Sequence, residues 1–163
     1  MSSGCAARYV GIVADGSTDR EIIGRLAKCL LNSTAPCEQI FLQQSLGLHM
    51  RRFALDASRT QDYRLCAGPA RVLRNGIITV LYSAVTEFKS QIPTREASDS
   101  DLLVLQADAE THLTEQTDYF DQEWALAVPK IFLAAIEQFY HTALSRHQYQ
   151  WEQLPLIVPL VLF

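Results

Sequence analysis

The sequence predicts an α/β fold: a parallel sheet of about four strands with helices on both faces. Short aliphatic runs alternate along the chain with segments of helical periodicity. The strand candidates are continuously apolar, as in strands buried on both faces, rather than alternately apolar and polar. The chain has 163 residues, 48% of them hydrophobic, which suits one globular domain spanning residues 1–163.

The first predicted pair of elements is a strand followed directly by a helix. Residues 8–14, RYVGIVA, form a short apolar run that ends before Gly16. A helix is predicted to start near Thr18, because Thr18 and Glu21 have the spacing of a capping box. The Asn, Ser and Pro residues at 32–36 are expected to end this helix.

The middle of the chain predicts a weaker strand and a long helix. Residues 38–46, EQIFLQQSL, are the second strand candidate. Residues 48–65 are rich in arginine and show no evident period, so a loop or irregular insertion is expected there. A proline in a first helical turn then favours a helix over residues 69–89, followed by a polar linker at residues 90–100.

The last third predicts strand, helix and strand. Residues 101–110, DLLVLQADAE, form a nearly continuous aliphatic strand, and a polar loop runs through Thr117. A helical region follows at residues 118–144, broken or restarted at Pro129. The apolar residues 154–163 are the last strand. The predicted order is therefore strand-helix-strand-helix-strand-helix-strand.

The charge is unevenly distributed. The total of −4 argues against a general nucleic-acid coat protein. Residues 51–74 nevertheless carry a net charge of +4, and residues 75–163 carry −8. A basic segment beside an acidic one is what a phosphate contact surface next to a cation site would look like, although solvated surface arginines would give the same pattern. The candidates for phosphate contact are Arg51, Arg52, Arg59 and Arg64.

Acidic residues follow two of the predicted strands. Asp15 ends the first, and Asp108 and Glu110 end the third. If these strands are neighbours, three carboxylates meet at one edge, and a hard cation such as Mg²⁺ or Mn²⁺ would keep them ionised. The alternative is that an acid at a strand end simply emerges into water or favours a helix N-terminus. For Asp19, in a first helical turn, this alternative is preferred.

Several other kinds of site have no support in the sequence. The four cysteines form no CxxC pair. No GxxxxGK[ST], GxGxxG or GxSxG motif occurs, so the sequence does not support a P-loop, a dinucleotide-binding fold or a serine hydrolase. A phospho-receiver would also gather acids at strand ends, but the chain lacks its other strand and turn signals. No targeting or membrane-spanning segment is recognisable, so a cytoplasmic protein is expected.

Two short motifs resemble the signatures of the Toprim fold. They are Asp15-Gly16-Ser17-Thr18-Asp19 after the first strand and Asp108-Ala109-Glu110 after a later one. The fold occurs in topoisomerases, bacterial primases, ribosomal-RNA maturation nucleases and OLD-family nucleases. The chain is most similar to small, uncharacterised bacterial Toprim-like proteins. The motifs cover about twenty residues, and the inferred element order agrees with the fold over most of the chain.

The resemblance implies a role for each matched residue. Asp15 stands where the family has a glutamate that acts as general acid or base, and Gly16 matches its glycine. Asp108 and Glu110 match its DxD pair, which with the glutamate holds Mg²⁺ for cutting or joining phosphodiester bonds. Asp15 is one methylene shorter than the family's residue, and Glu110 is one longer. These changes either compensate for each other or mark a site that no longer cleaves.

Together with the predicted cation site, the resemblance therefore implies a Mg²⁺- or Mn²⁺-dependent nuclease or nuclease subunit that acts on DNA or RNA. By resemblance, so small a protein would work beside an ABC-type or AAA ATPase in bacterial defence against phage, with no membrane involved. The alternative is a catalytically inactive Toprim-like module that binds a protein partner or nucleic acid without cutting it.

Overall fold

The computed structural model describes residues 9–31, 38–92, 101–108, 122–146 and 148–162. These residues form four β-strands and four α-helices. In chain order they are β1 (Tyr9–Val13), α1 (Ser17–Leu31), β2 (Glu38–Phe41), α2 (Gly47–Thr60), α3 (Gly68–Gln91), β3 (Asp101–Asp108), α4 (Gln122–Ser145) and β4 (Leu156–Leu162). A short 3₁₀ turn at Trp151–Gln153 precedes β4.

The four strands form one parallel sheet in the order β2-β1-β3-β4. From β1 the chain passes through α1 to β2 on one side, and it later returns through α2 and α3 to β3 on the other side of β1. The strand order therefore reverses at β1. In open parallel sheets, the crevice outside the carboxyl ends of the strands at such a reversal is where ligands bind.

Helices cover both faces of the sheet, but unequally. The three-helix face, where α2, α3 and α4 pack, buries the largest apolar side chains: Phe53, Phe88, Phe132 and Phe139. The one-helix face, where α1 packs over β1, has a smaller core of Val10, Ile12, Ala14, Ile23 and Ala27. The predicted fold class, an α/β parallel sheet of about four strands with helices on both faces, is confirmed.

A glycine in β1 allows close packing on the three-helix face. A Cβ atom at Gly11 would lie 2.8 Å from Phe88 Cδ2 and 2.9 Å from Leu103 Cδ1. Real Cβ atoms do not approach carbon this closely, so any larger residue would displace the Phe88 ring or the strand.

The prediction of an irregular segment at residues 48–65 is wrong, because α2 occupies most of it. The buried apolar side chains of α2 and of the residue before it are Leu46, Met50, Phe53 and Ala57. Their spacing of three and four residues is that of one helix face. Two helices, not one, therefore connect β2 to β3.

Strand β2 ends at Phe41, five residues before the predicted end at Leu46. The remaining elements agree with their predictions within a few residues. Helix α1 begins at Ser17, one residue before the predicted start, and α3 begins with Pro69 in its first turn. Helix α4 is continuous across Pro129 rather than broken there. The predicted linker beyond residue 92, the loop through Thr117 and the helix start at residue 118 lie outside the described residues.

Strand β4 is attached to α4 by a half-buried tyrosine. The Tyr140 hydroxyl donates to the Pro155 carbonyl at 2.6 Å and accepts from the Ile157 N–H at 2.9 Å. Burial is the main cause that raises the pKa of Tyr140 above its ordinary value. One side chain thus satisfies two backbone groups at the start of the edge strand.

Among the described residues, no helix combines the length and apolarity needed to cross a membrane.

Candidate functional site

The structure brings the ends of β1 and β3 together, as the proposed site requires. The two strands pair in parallel, with Val13 opposite Leu105. Asp15 follows β1 by two residues, and Asp108 is the last residue of β3. Both aspartates therefore lie at the carboxyl edge of the sheet, at the position where the strand order reverses.

The Asp15 carboxylate is joined to the start of α2. Its Oδ1 atom accepts hydrogen bonds from the Ser45 hydroxyl at 2.8 Å and from the Leu46 N–H at 3.0 Å. The Ser45 hydroxyl oxygen in turn accepts from the Gly47 N–H at 3.2 Å. An acid at this place satisfies one backbone donor at the start of the helix, the Leu46 N–H, and interacts favourably with the positive end of the helix dipole.

The second carboxylate oxygen of Asp15 differs from the first in its hydrogen bonding. Asp15 Oδ2 is shielded from solvent and has no hydrogen-bond partner among the described residues. A buried carboxylate oxygen without a donor is costly, and such an atom calls for a cation, a water or another donor. Asp15 therefore has one oxygen engaged in the fold and one available for a ligand.

A buried glutamine of β3 is bonded to the Asp15 backbone. Gln106, two residues before Asp108 in β3, is 0% exposed. Its Oε1 atom accepts from the Asp15 backbone N–H at 3.1 Å. Its Nε2 atom is buried without a partner among the described residues. The ends of β1 and β3 are thus linked by a side chain as well as by the sheet.

The two aspartates leave the sheet edge toward different faces. Leu103, Leu105 and Ala107 belong to the core of the three-helix face, so the strand alternation places Asp108 on the one-helix face. Asp15, through its bonds to Ser45 and Leu46, is directed toward α2. A ligand held by both would lie across the strand ends rather than above one face.

The donor set fits a hard divalent cation in its chemistry. Carboxylate oxygens are the ligands of Mg²⁺ and Mn²⁺, and Asp15 Oδ2 is an unpaired carboxylate oxygen. Within the described residues there is no group of three acidic, histidine or cysteine side chains that could hold a metal. Glu110, the third predicted ligand, lies outside the described residues.

The four candidate arginines differ in their distance from the strand ends and in whether an acidic residue pairs with them. All four side chains are exposed. Arg51 and Arg52 lie in the first two turns of α2, whose start contacts Asp15. Arg59 lies eight residues after Arg51, about 12 Å further along the helix axis. Arg52 also lies 3.5 Å from Asp56, an exposed pair that contributes little to stability.

Arg64 is held by an acid of its own loop. Its Nε and Nη2 atoms donate to Asp62 at 2.9 and 2.7 Å. The side-chain bond from Arg64 and the bond from its backbone N–H lower the pKa of Asp62 to about 2, and the carboxylate raises the pKa of Arg64. Of the four arginines, Arg51 and Arg52 are therefore the ones best placed to reach a ligand at the strand ends.

Sequence reasoning missed Ser45 and Gln106. Gln106 is the one polar residue inside the aliphatic run LLVLQA, and a polar side chain buried in a parallel strand requires a partner. That signal was present, but it does not identify the partner. Ser45 had no comparable signal: it stood in the predicted strand at residues 38–46, and its role depends on β2 ending at Phe41 and α2 beginning at Gly47.

Comparison with known proteins found no match: no family model, no curated protein and no solved structure matches the chain. The parallel sheet with helices on both faces defines the class as α/β and is consistent with a Toprim-like fold. The resemblance to that family stays a prediction carried by the two short motifs.

Proposed function

We propose that this protein is a Toprim-like, Mg²⁺- or Mn²⁺-dependent nuclease or nuclease subunit. The observation that carries the proposal is the position of Asp15 and Asp108 at adjacent strand ends where the strand order reverses, with Asp15 Oδ2 unpaired among the described residues. Oxygen ligands at this edge suit a hard cation, and phosphodiester cleavage is a reaction that such a cation supports.

In this proposal Asp15, Asp108 and Glu110 hold the metal, and Asp15 also acts as general base. A bound divalent cation would polarise the phosphoryl oxygen and lower the pKa of a water. Asp15 Oδ2 would take the proton of the attacking water as the water oxygen bonds to phosphorus and a phosphorus–oxygen bond to a sugar breaks; the leaving sugar oxygen would take a proton from solvent. Oδ1 would stay bonded to Ser45 and Leu46. Arg51 and Arg52, close to the same edge, contact the phosphate backbone of DNA or RNA.

The cellular setting of the proposal rests on the resemblance alone. In this setting the protein would be bacterial and cytoplasmic, and it would work beside an ABC-type or AAA ATPase in defence against phage. The ATPase would supply the substrate choice for which larger enzymes of this fold use additional domains.

A second candidate is a catalytically inactive module that binds a protein partner or nucleic acid. The observation that favours it is the bonding of Asp15 Oδ1 to Ser45 and Leu46. That network gives the acid a structural reason to be present, because it stabilises the start of α2 without a metal.

Metal-dependent stability tests the metal site on which the first candidate depends. Thermal unfolding of the wild type is measured while Mg²⁺ or Mn²⁺ is titrated, with Asp15→Asn and Asp108→Asn beside it. A ligand at 100 times its Kd stabilises the native state by about 2.7 kcal/mol, which raises Tm by roughly 5–10 °C in a chain of this size. We expect this rise in the wild type and its loss in both variants.

The matched control is Glu137→Gln, which removes an exposed acid from α4 and should keep the full metal response. Asparagine at position 15 still offers an oxygen to Ser45 and Leu46, so the fold is retained. A metal response that is equal in wild type, Asp15→Asn and Asp108→Asn would contradict the proposed site.

Cleavage assays then test the reaction itself. Supercoiled plasmid, linear DNA and tRNA are incubated with Mg²⁺ or Mn²⁺. Cutting that requires metal and disappears in Asp108→Asn supports the nuclease and identifies its substrate class. Metal binding without cutting of any substrate, alone or with an added ATPase encoded by a neighbouring gene, would favour the inactive module.

A further inference from the structure

In the Gln106 amide group, the oxygen is hydrogen-bonded and the nitrogen is not, among the described residues. The Asp15 N–H can only donate, so the Gln106 atom that contacts it at 3.1 Å must be the oxygen. The orientation of the amide is therefore determined, and Nε2 is left as a buried donor with no partner among the described residues.

A fully buried amide with an unpaired donor is destabilising on its own. An apolar residue of the same size would avoid the desolvation cost, which for an unsatisfied donor is about 1–3 kcal/mol. Packing therefore does not explain a glutamine here. Its one described bond joins it to the residue that carries the unpaired carboxylate oxygen, Asp15.

The Asp15 backbone lies just beyond β1, where sheet pairing no longer holds it. Strand β1 ends at Val13, and the bond to Gln106 extends the connection between β1 and β3 by two residues. The Asp15 side chain is held from the opposite side by Ser45 and Leu46. Asp15 is thus fixed at its backbone by β3 and at Oδ1 by the start of α2.

We propose that Gln106 is a positioning residue: by accepting the Asp15 N–H, it holds the Asp15 carboxylate at the carboxyl edge of the sheet, where Oδ2 can bind a ligand. The metal-binding part of this inference rests on the proposed function, whereas the positioning part does not. Mutation of a residue that is hydrogen-bonded to a metal ligand and orients it commonly weakens metal binding 10- to 100-fold.

Three substitutions separate positioning from packing. Gln106→Glu keeps an acceptor oxygen at the same reach. Gln106→Met keeps the length and volume but has no acceptor for the Asp15 N–H. Gln106→Asn keeps the amide but ends about 1.5 Å short, the length of one carbon–carbon bond, and it serves as the second loss variant if the methionine variant fails to fold.

Two readouts are measured on the full chain. Without metal, NMR hydrogen exchange of the Asp15 amide reports the bond to Gln106, and exchange at Ile12, inside β1, reports the fold. With Mn²⁺, calorimetric titration reports affinity. We expect exchange at Asp15 to be at least about tenfold faster and Mn²⁺ binding about 10- to 100-fold weaker in the methionine and asparagine variants. The glutamate variant should retain both properties.

The outcomes are distinguishable. Unchanged exchange at Asp15 in the methionine and asparagine variants would overturn the proposal, as would a glutamate variant that loses protection like them. Faster exchange with unchanged Mn²⁺ affinity would overturn the link between position and ligand binding. If the wild type binds no Mn²⁺, the metal-dependent function fails, and the exchange measurement alone decides whether Gln106 fixes Asp15.

Discussion

The two faces of the sheet differ in how completely they are covered. On the three-helix face, three helices bury four phenylalanine side chains almost completely. On the one-helix face, α1 packs over β1, and three apolar side chains of β4 are left exposed: Leu156 at 62%, Val158 at 39% and Leu162 at 40%. Apolar burial is the main favourable term in folding, so most of the stability resides in the three-helix face.

The difference shows where the fold can accommodate function. Gln106 and Asp108 alternate onto the one-helix face, while the residues between and before them, Ala107 and Leu105, belong to the core of the three-helix face. The well-packed face holds β1 and β3 in register, so their ends present polar groups at a constant separation. Rigid elements of this kind position a site more accurately than loops do.

The largest change in the free energy of unfolding is expected when a phenylalanine is removed from the three-helix face. Phe139 is fully buried and makes edge-to-face contact with Tyr82. Phe139→Ala should lower the free energy of unfolding by about 3–5 kcal/mol, measured by urea denaturation. The matched control is Phe41→Ala, since Phe41 is 46% exposed and should lose less than half as much. Equal losses would refute the assignment of stability to one face.

A smaller effect is expected where the three-helix face meets the edge strand. Tyr140→Phe keeps the ring but leaves the Ile157 N–H and the Pro155 carbonyl without their described partner. We expect a loss of about 1–3 kcal/mol in unfolding free energy. Tyr149→Phe, which keeps the ring that contacts Lys89, is the control and should change stability little.

The same tyrosine predicts a dependence on pH. Because burial raises the pKa of Tyr140 in the folded state, its contribution to stability is fully present below the unfolded pKa of about 10. It is lost as pH rises through the higher folded pKa. Urea denaturation between about pH 8 and 11, a range that spans the unfolded pKa, should show a steeper loss of stability in the wild type than in Tyr140→Phe. Parallel curves would contradict this.

The smallest effect is expected on the exposed side of β4. Leu156→Ser should change the unfolding free energy by no more than about 0.5 kcal/mol, because the side chain is already in contact with water. Ile157→Ser, one residue later, alters a buried side chain on the opposite face and should be far more destabilising. Thermal denaturation of the two variants compares the faces at neighbouring positions of one strand.

Much of the fold could be predicted from local patterns, whereas the contacts of the site could not. The aliphatic runs and the proline of α3 identified β1, β3, β4 and α3, because burial on both faces and helix starts leave local signals. Helix α2 was missed because Arg51 and Arg52 obscured the helical spacing of Met50, Phe53 and Ala57. The adjacency of Asp15 and Asp108 depended on strand order, which no local pattern encodes.

The bond between Asp15 Oδ1 and the start of α2 connects occupancy of the site to helix integrity. A ligand that takes both carboxylate oxygens must compete with the Ser45 hydroxyl and the Leu46 N–H. Losing such an interaction at a helix start costs about 0.5–2 kcal/mol, which is a factor of roughly 2 to 30 in affinity. By reciprocity, conditions that unfold the first turn of α2 strengthen the binding of a ligand to both carboxylate oxygens. A ligand that binds Oδ2 alone leaves the helix undisturbed.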